Sequence, residues 1–292
     1  LGAKSGAAPQ AAAQTRLPMS LAQSPTVAVE SQAGANPSVS GDGKFVVFAG
    51  PPATDGDERA STVWLRDRSN GGEIELTQSL PGARTGDSVF PVISGDGCYV
   101  AVISEVPFDL FRDDDTGDRW DVYRMKLPSC GGSPNSWELI STTAYRGDNP
   151  SAADDVDQRF PPAISGAGSV IAYTHQFDAA QPDLVGVIVV DLTIPIGQPG
   201  HALPVAGTPT AAPNTTYRYL GVREPSVSDD GQFVAFTSDA NSNKATPDWS
   251  SGPIPGEFAS AQVYVWDRLN PDPNTAVKRA SLGIDSTVNG EA

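Results

Sequence analysis

Basic residues are scarce in this sequence of 292 residues. Only 19 Lys and Arg stand against 35 Asp and Glu, which leaves a formal net charge of -16 at pH 7. Nucleic acids present a dense array of phosphates and are bound through positively charged surfaces. We therefore expect no nucleic-acid partner.

Soft and imidazole metal ligands are scarce as well. The chain has two Cys, two His and two Met. A structural zinc site takes four Cys or His ligands, and iron–sulfur clusters are held mainly by Cys thiolates. The sequence therefore indicates neither kind of site.

A long apolar run and a signal peptide are also missing. The longest apolar stretch lies near Val187–Val190, far short of the roughly 18 residues that a membrane-spanning helix needs, so we expect no membrane span in this chain. Residues 1–16 contain neither an initiator Met nor the charged and apolar regions of a signal peptide. They are interpreted as a flexible N-terminal segment that followed something since removed.

Gly and Pro are abundant, with 29 and 26 residues, and they favour turns and short strands over long helices. One pattern built on them, Pro-x-(Val/Ile)-Ser-x-x-Gly followed by an apolar run, occurs four times. Its copies begin at Pro37, Pro91, Pro162 and Pro225.

Each copy predicts a β-hairpin. Asp-Gly adopts the positive φ angles of a tight turn, and the third copy keeps its glycine, Gly168, after Ala167. The segments after the turns, such as Phe45–Phe48 and Phe233–Phe236, are apolar at every position, which is typical of strands packed on both faces.

Two more β-rich segments follow each hairpin. The third strands are predicted at Val63–Asp67, Val122–Met125, Val187–Asp191 and Val263–Asp267, and the fourth at residues 74–77, 138–141, 202–205 and 277–281. Repeated four-stranded antiparallel sheets are the blades of a β-propeller. We predict an all-β propeller fold with blades at residues 36–90, 91–161, 162–224 and 225–292. The alternative, a β-sandwich, does not repeat a hairpin motif four times.

The pattern Pro-x-(Val/Ile)-Ser-x-Asp-Gly-x-x-Val-Ala-Phe, followed by Val-Tyr-Val-x-Asp-Arg, resembles the TolB-type, WD-repeat-like propeller repeat of bacterial proteins. The resemblance covers residues from about 36 to 282. It implies a propeller in a secreted, periplasmic or cell-surface protein. It leaves the activity open, because such propellers serve as partner platforms, as enzyme frameworks and as gates of peptidases.

The two ends of the chain suggest an incomplete ring. Residues 17–22 and 277–282 both resemble outermost strands, yet the fourth blade already has one, so the N-terminal strand and its linker to residue 35 have no blade to complete. Residues 285–292 resemble the linkers that precede each repeat. We expect a larger ring, completed by further sequence or another chain. A complete four-bladed protein is the alternative.

The long loops are predicted on one face of the propeller. The loops between strands 2 and 3 and those between blades carry 22 of the 35 acidic residues and 9 of the 19 basic ones. Long loops on a rigid scaffold favour recognition of a protein or glycan partner, although an acidic face also serves solubility. Trp120 and Trp249 are candidate stacking platforms in these loops, whereas Trp64 and Trp266 fall in strands.

The densest carboxylate cluster runs from Asp109 to Asp121. Ca²⁺ takes six to eight oxygen ligands around a sharp turn, and Asp113, Asp115, Gly117 and Asp121 could supply such a winding. The spacing is not that of an EF-hand. A solvated turn is the alternative.

Catalytic patterns are missing. There is no Gly-x-Ser-x-Gly elbow and no His-Glu-x-x-His pair, and neither His175 nor His201 has a sequence-evident partner. We therefore predict a binding module rather than an enzyme. The rival is a propeller that frames or gates a peptidase- or lyase-like site supplied by residues outside this chain.

Cys98 and Cys130 are predicted to form a disulfide. Cys98 opens the second strand of blade 2, and Cys130 lies just past the third strand. Antiparallel neighbours lie about 4.8 Å apart, so the start of one strand meets the end of the other. A disulfide would favour an oxidising compartment. Two unrelated thiols are the alternative.

Overall fold

The computed structural model describes residues 34–52, 61–77, 86–105, 108, 120–133, 136–141, 155–176, 185–205, 222–238, 262–271 and 276–281. Among these residues, no helix is long and apolar enough to cross a membrane. The predicted N-terminal strand at residues 17–22 lies outside the described residues.

The described residues form four sheets, each built from strands that are consecutive in the chain and antiparallel. Sheet 1 contains β1 (Ala35–Val39), β2 (Phe45–Gly50), β3 (Thr62–Asp67) and β4 (Gly72–Glu75). Sheet 2 contains β5 (Ser88–Ile93), β6 (Tyr99–Ser104), β7 (Asp121–Lys126) and β8 (Trp137–Leu139), with a short 3-10 helix at Pro128–Cys130. Sheet 3 contains β9 (Asp155–Val156), β10 (Ala163–Ile164), β11 (Val170–Gln176), β12 (Val185–Asp191) and β13 (Ala202–Pro204). Sheet 4 contains β14 (Arg223–Val227), β15 (Phe233–Ser238), β16 (Gln262–Asp267) and β17 (Val277–Arg279).

The propeller-blade architecture predicted from the repeats is confirmed. Four consecutive four-stranded units follow one another, and none of them closes on itself into a barrel. The fourth strands of sheets 1 and 2 begin one or two residues earlier than predicted, at Gly72 and Trp137. Sheet 3 carries an additional short strand, β9, which pairs with β11.

The hairpin turns are held by a local hydrogen-bond network. In the first turn, the Ser40 hydroxyl donates to Asp42 Oδ1 (2.6 Å), which also accepts from the Lys44 backbone N–H (2.9 Å). The same arrangement joins Ser228 and Asp230 in the fourth turn. The hydroxyl bond, followed by the backbone bond, holds the pKa of Asp42 and of Asp230 below the ordinary value.

Neighbouring sheets stack through separate apolar clusters. Sheets 1 and 2 share a cluster that includes Val47, Val63, Val102 and Tyr123. Sheets 2 and 3 meet through residues such as Ile103 and Ile171, and sheets 3 and 4 through residues such as Val187, Phe236 and Tyr264. Burial on both faces is found in β6 and β11 of the middle sheets, where nearly every residue is buried. In β2 and β15 of sheets 1 and 4, the predicted segments Phe45–Phe48 and Phe233–Phe236 alternate between buried and more exposed residues, because the described residues cover only one side of each outer sheet.

The hairpin turns of successive sheets also touch through their backbones. Gly41 N–H donates to Gly95 O (2.8 Å), Asp96 N–H to Gly166 O (2.9 Å) and Gly166 N–H to Asp229 O (2.9 Å). A Cβ on Gly41 would lie 2.8 Å from Gly95 O, closer than real Cβ atoms approach a neighbour. A Cβ on Gly95 or Gly166 would lie 3.2 or 3.0 Å from the backbone of the next turn, so these two positions are tight as well.

An ion pair joins sheets 3 and 4. Arg268 Nη1 lies 2.7 Å from Asp191 Oδ2, and the two side chains are only 12% and 9% exposed. Burial disfavours the ionised form of Asp191, but hydrogen bonds from Thr193 and Arg268 outweigh it and hold the pKa of Asp191 below its usual value.

Replacing Arg268 by Ala is expected to lower the free energy of unfolding by about 2 kcal/mol at pH 7, because Asp191 would keep its charge without a counter-ion. A lowered folded-state pKa stabilises the fold above the ordinary value of 3.8 and ceases to do so as pH falls through the lowered value. The difference between wild type and R268A should therefore shrink below about pH 4, measured by urea denaturation. The matched control, Arg66→Ala, removes the more exposed pair with Glu73 and should cost less than about 0.5 kcal/mol. Equal losses from the two variants would contradict the assignment.

Candidate functional site

The first strand of each sheet enters from the end that bears the long loops, and it contains an unusual backbone conformation in three of the four sheets. Asn36, Phe90 and Glu224 have φ of 52°, 50° and 56°, and each directly precedes the proline of the repeat. The register with the next strand shifts at each of these sites. Left-handed backbone at a non-glycine residue costs about 1–2 kcal/mol, and its repetition in three sheets makes it part of the repeat architecture.

Sheet 3 departs from this arrangement. Its first strand is split into β9, where Val156 pairs with His175, and β10, where Ala163 pairs with Ala172. Six residues, 157–162, lie between the two strands in place of the bulge found in the other sheets. The departure places an extra turn at the loop-bearing end of the sheet.

This extra turn is anchored by a buried carboxylate. Asp157 is 3% exposed and accepts from Arg159 Nε (2.8 Å) and Nη2 (2.7 Å), and from the Arg159 backbone N–H (3.0 Å). The Asp157 N–H donates to Thr174 O of β11 (3.0 Å). The turn is therefore fixed to the sheet by both backbone and side-chain bonds.

Two guanidinium groups flank the next residue, Phe160. The Cζ of Arg159 lies 5.6 Å from the centre of the Phe160 ring, and the Cζ of Arg223, from sheet 4, lies 5.9 Å from it. We call Asp157, Arg159, Phe160 and Arg223 the mouth cluster. Arginine over an aromatic face is a cation–π contact. The cluster contains two positive charges, of which that of Arg159 is paired with Asp157.

The mouth cluster was not identified by sequence reasoning, which placed residues 157–161 in the linker between blades 2 and 3. Its signal is the Asp-Gln-Arg-Phe-Pro-Pro segment, in which a second proline precedes the proline of the repeat. The other three repeats have Asn, Phe and Glu at that position. A departure from an internal repeat is a usable signal, but the contact with Arg223 depends on how two sheets pack.

Both histidines of the sequence lie among the described residues, and both are buried. His175 lies within β11 and is buried, and His201 is buried with Nδ1 2.6 Å from the Ile194 carbonyl oxygen. His175 pairs with Val156, which directly precedes Asp157 of the mouth cluster. No group of three or more metal-ligating side chains occurs among the described residues.

The predicted disulfide is present in the structure. Cys98 and Cys130 are joined, with their Cα atoms 5.5 Å apart. Cys98 directly precedes β6, and Leu127 N–H donates to Cys98 O (2.8 Å), which brings the start of β6 to the end of β7. Cys130 ends the short 3-10 helix that follows β7.

The predicted calcium ligands are mostly outside the described residues. This applies to Asp113, Asp115 and Gly117, whereas Asp121 begins β7 and accepts a hydrogen bond from the Ser141 hydroxyl (2.5 Å). The site stays a prediction, and a melting temperature that rises in millimolar Ca²⁺ and no longer does so in Asp113→Ala/Asp115→Ala would support it.

The predicted stacking tryptophans differ in what the structure describes. Trp120 is half-buried and packs against the apolar cluster between sheets 2 and 3, so only part of its ring is open to a partner. Trp249 lies outside the described residues. Trp64 and Trp266 lie in β3 and β16, as predicted, and the Trp64 indole donates to Pro51 O (2.9 Å).

Comparisons with known proteins give distant similarity to solved structures alone. No family model matches the sequence, and no curated protein matches it significantly. Similar structures include TolB from Acinetobacter baumannii (14% identity, 85% of this chain, 43% of that chain, TM-score 0.43). A puromycin-hydrolyzing peptidase from Mycobacterium tuberculosis has 15% identity over 88% of this chain and 30% of that chain, with a TM-score of 0.47. Prolyl oligopeptidase B from Galerina marginata has 12% identity over 85% of this chain and 27% of that chain, with a TM-score of 0.42.

The chain therefore spans less than half the length of each of these proteins. TolB is the family whose repeat pattern the sequence resembles. The fold itself is established by the four sheets and their stacking, independently of these distant similarities.

Proposed function

We propose that this chain is an extracytoplasmic propeller module that binds a protein or glycan partner at its loop-bearing end. The observation that supports the proposal is the mouth cluster. It is the place where the described first strands depart from the repeat, and the departure brings Arg159 and Phe160 of sheet 3 against Arg223 of sheet 4. A feature that breaks an internal repeat serves something other than the shared architecture.

The chemistry of the mouth cluster favours a partner with a carboxylate. Two arginines beside an aromatic ring suit an acidic peptide side chain, a C-terminal carboxylate or an acidic sugar, because guanidinium binds carboxylate through paired hydrogen bonds and the ring packs against apolar atoms. Asp157 fixes the orientation of Arg159. The acidic residues of the surrounding loops would repel partners that carry further negative charges beside that carboxylate.

An extracytoplasmic location is supported by the disulfide between Cys98 and Cys130. Disulfides persist in oxidising compartments and are rare in the cytosol. Periplasm, cell surface and external medium all satisfy this condition.

The rival function is a propeller that frames or gates an enzyme site outside this chain. It requires a nucleophile and a base from residues outside this chain, because the two histidines described here are buried. Two results together would favour the rival. The longest natural chain would hydrolyse a peptide library, and it would lose that activity when a segment outside these 292 residues is removed.

The binding proposal is tested with defined probes. The folded chain is screened against a display library of acidic peptides with free C-termini and against an array of uronic- and sialic-acid glycans. The best binder is expected to lose roughly tenfold or more in affinity in Phe160→Ala and in Arg223→Gln, because each removes a direct contact. Arg66→Ala, an exposed arginine on the outer part of sheet 1, is the control and should bind as wild type. The proposed site would be contradicted if Phe160→Ala and Arg223→Gln bound the partner as wild type does while Asp42→Ala, at the opposite end, bound it less tightly.

A further inference from the structure

The interfaces between successive sheets follow one rule. The first residue of each second strand pairs with the last residue of the third strand, as in Phe45 with Asp67 and Phe233 with Asp267. In each internal interface, the turn glycine of the next sheet lies on that first residue. A Cβ on Gly97 would lie 3.2 Å from Phe45, one on Gly168 2.5 Å from Tyr99, and one on Gly231 2.6 Å from Val170.

Sheet 4 presents the same face without such a cover. Phe233, which corresponds to Phe45, Tyr99 and Val170, is 41% exposed. Val263 is 37% exposed, whereas Val63, Val122 and Val187 at the same position in sheets 1 to 3 are at most 1% exposed. The outer face of sheet 4 is therefore a blade interface that the described residues of the chain leave open.

Sheet 1 presents the other half of such an interface. Gly43 has the same left-handed turn conformation as Gly97, Gly168 and Gly231, but within 4 Å a Cβ there would meet only Nη1 of its own Arg68, at 3.4 Å. Val39 on the same side is 56% exposed, whereas Ile93, its counterpart in sheet 2, is buried. The turn and the apolar surface that would receive a preceding sheet are both in place.

Charges match across the two open faces. In the interface between sheets 3 and 4, Arg268 follows the third strand, donates to the carbonyl of its own turn glycine, Gly231, and pairs with Asp191 of the preceding sheet. Arg68 occupies the same position in sheet 1 and donates to Gly43 O (2.8 Å).

The carboxylate for Arg68 is found on sheet 4. Asp267 occupies there the position that Asp191 has in sheet 3. Leu127 and Leu192 stand at the arginine position in sheets 2 and 3, so among the four sheets only sheets 1 and 4 carry an arginine that can pair with a carboxylate of a preceding sheet.

We propose that sheet 4 of one copy of this chain docks on sheet 1 of a second copy, in the geometry of the internal interfaces. Gly43 of one copy then lies on Phe233 of the other, and Arg68 pairs with Asp267. We assign the contact to two molecules because the sheet 4 face carries the carboxylate, the sheet 1 face carries the arginine, and the described residues of one chain leave both faces exposed. Each copy carries both halves, so two copies satisfy both contacts reciprocally.

Mass and charge reversal test this directly. Light scattering of the 292-residue chain is expected to give a particle of two chains, twice 30.4 kDa. Asp267→Arg and Arg68→Asp should each raise the dimer dissociation constant roughly tenfold, because each places like charges together, and the two changes combined should restore it. The control, Arg66→Asp, alters a neighbouring exposed charge and should leave the constant unchanged.

Two results would overturn the proposal. One is a monomer at tens of micromolar whose melting temperature is the same in every reversal variant. In that case the two open faces do not contact each other, and they are either covered by a further sheet or not covered at all. The other is a monomer whose melting temperature falls with each single reversal and recovers in the double variant, which would show ring closure within one chain. Phe233→Asp would also weaken the dimer, but it is interpretable only if the variant is soluble and folded. The Arg68 and Asp267 reversals therefore decide whether the dimer forms as proposed.

Discussion

Gly168→Ala is expected to lower the free energy of unfolding by about 3–4 kcal/mol. Gly168 has φ of +69°, and a Cβ there would lie 2.5–2.7 Å from the Cβ, Cγ and Cδ2 atoms of Tyr99 in the preceding sheet. Left-handed backbone costs a non-glycine residue about 1–2 kcal/mol, and overpacking a close contact adds about 1–3 kcal/mol. Tyr99 cannot withdraw freely, because Arg124 lies over its ring at 4.7 Å.

Gly197→Ala separates the two contributions. Gly197 also has positive φ, +81°, but nothing lies within 4 Å of a Cβ built there. It should therefore cost only the backbone part, about 1–2 kcal/mol, measured for both variants by urea denaturation. In the background of Tyr99→Ala, the Gly168→Ala change should cost less than in the wild type, since the contacts with Cγ and Cδ2 are gone and only the contact with Cβ, at 2.7 Å, remains. Equal losses for Gly168→Ala and Gly197→Ala in the wild-type background would show that the sheets are not packed as described.

Removing the disulfide is expected to cost about as much, roughly 3–4 kcal/mol. The bridge closes a loop between residues 32 apart in the sequence, and on the chain-entropy model a loop of that size restricts the unfolded chain by that amount. The variant Cys98→Ser/Cys130→Ser should unfold at a correspondingly lower urea concentration. The slope of its unfolding free energy with urea should be larger as well, because the unfolded variant lacks the bridge, is less compact and exposes more surface than the unfolded wild type.

Reduction of the wild type is the matched control, since it breaks the same bond without changing a residue. Reduced wild type and the double Ser variant should have the same stability within about 0.5 kcal/mol. Thiol titration of the denatured protein should find no free thiol before reduction and two afterwards. Two free thiols before reduction would remove the bridge and the support it gives to an oxidising compartment.

Sequence periodicity was sufficient for the parts of this fold that depend on local chemistry. The Ser-x-Asp-Gly turns and the strands on either side of them lie where the repeats predict, because turn geometry and burial on both faces leave direct marks in the sequence. The Cys98–Cys130 contact followed from the same reasoning, since the ends of antiparallel neighbours must meet.

The features that the sequence did not reveal depend on residues far apart in the chain. Asp191 and Arg268 are brought together only by the stacking of sheets 3 and 4. The contact between Phe160 and Arg223 has the same origin. The first residues of β4 and β8 were misplaced because an edge strand is defined by its one partner rather than by an apolar pattern of its own.

The consecutive order of strands within each sheet bears on how the chain is made. Each sheet uses only strands that leave the ribosome one after another, so sheet 1 can pair fully before sheet 2 is synthesised, and both cysteines of sheet 2 are available before sheet 3 exists. Within this 292-residue sequence no third thiol competes for the bridge, which can form once sheet 2 reaches an oxidising compartment. At every stage, however, the newest sheet presents an apolar face that only the next sheet covers. A stalled or truncated chain would thus keep an exposed apolar face wherever synthesis stopped, and such chains would tend to aggregate unless a chaperone bound that face.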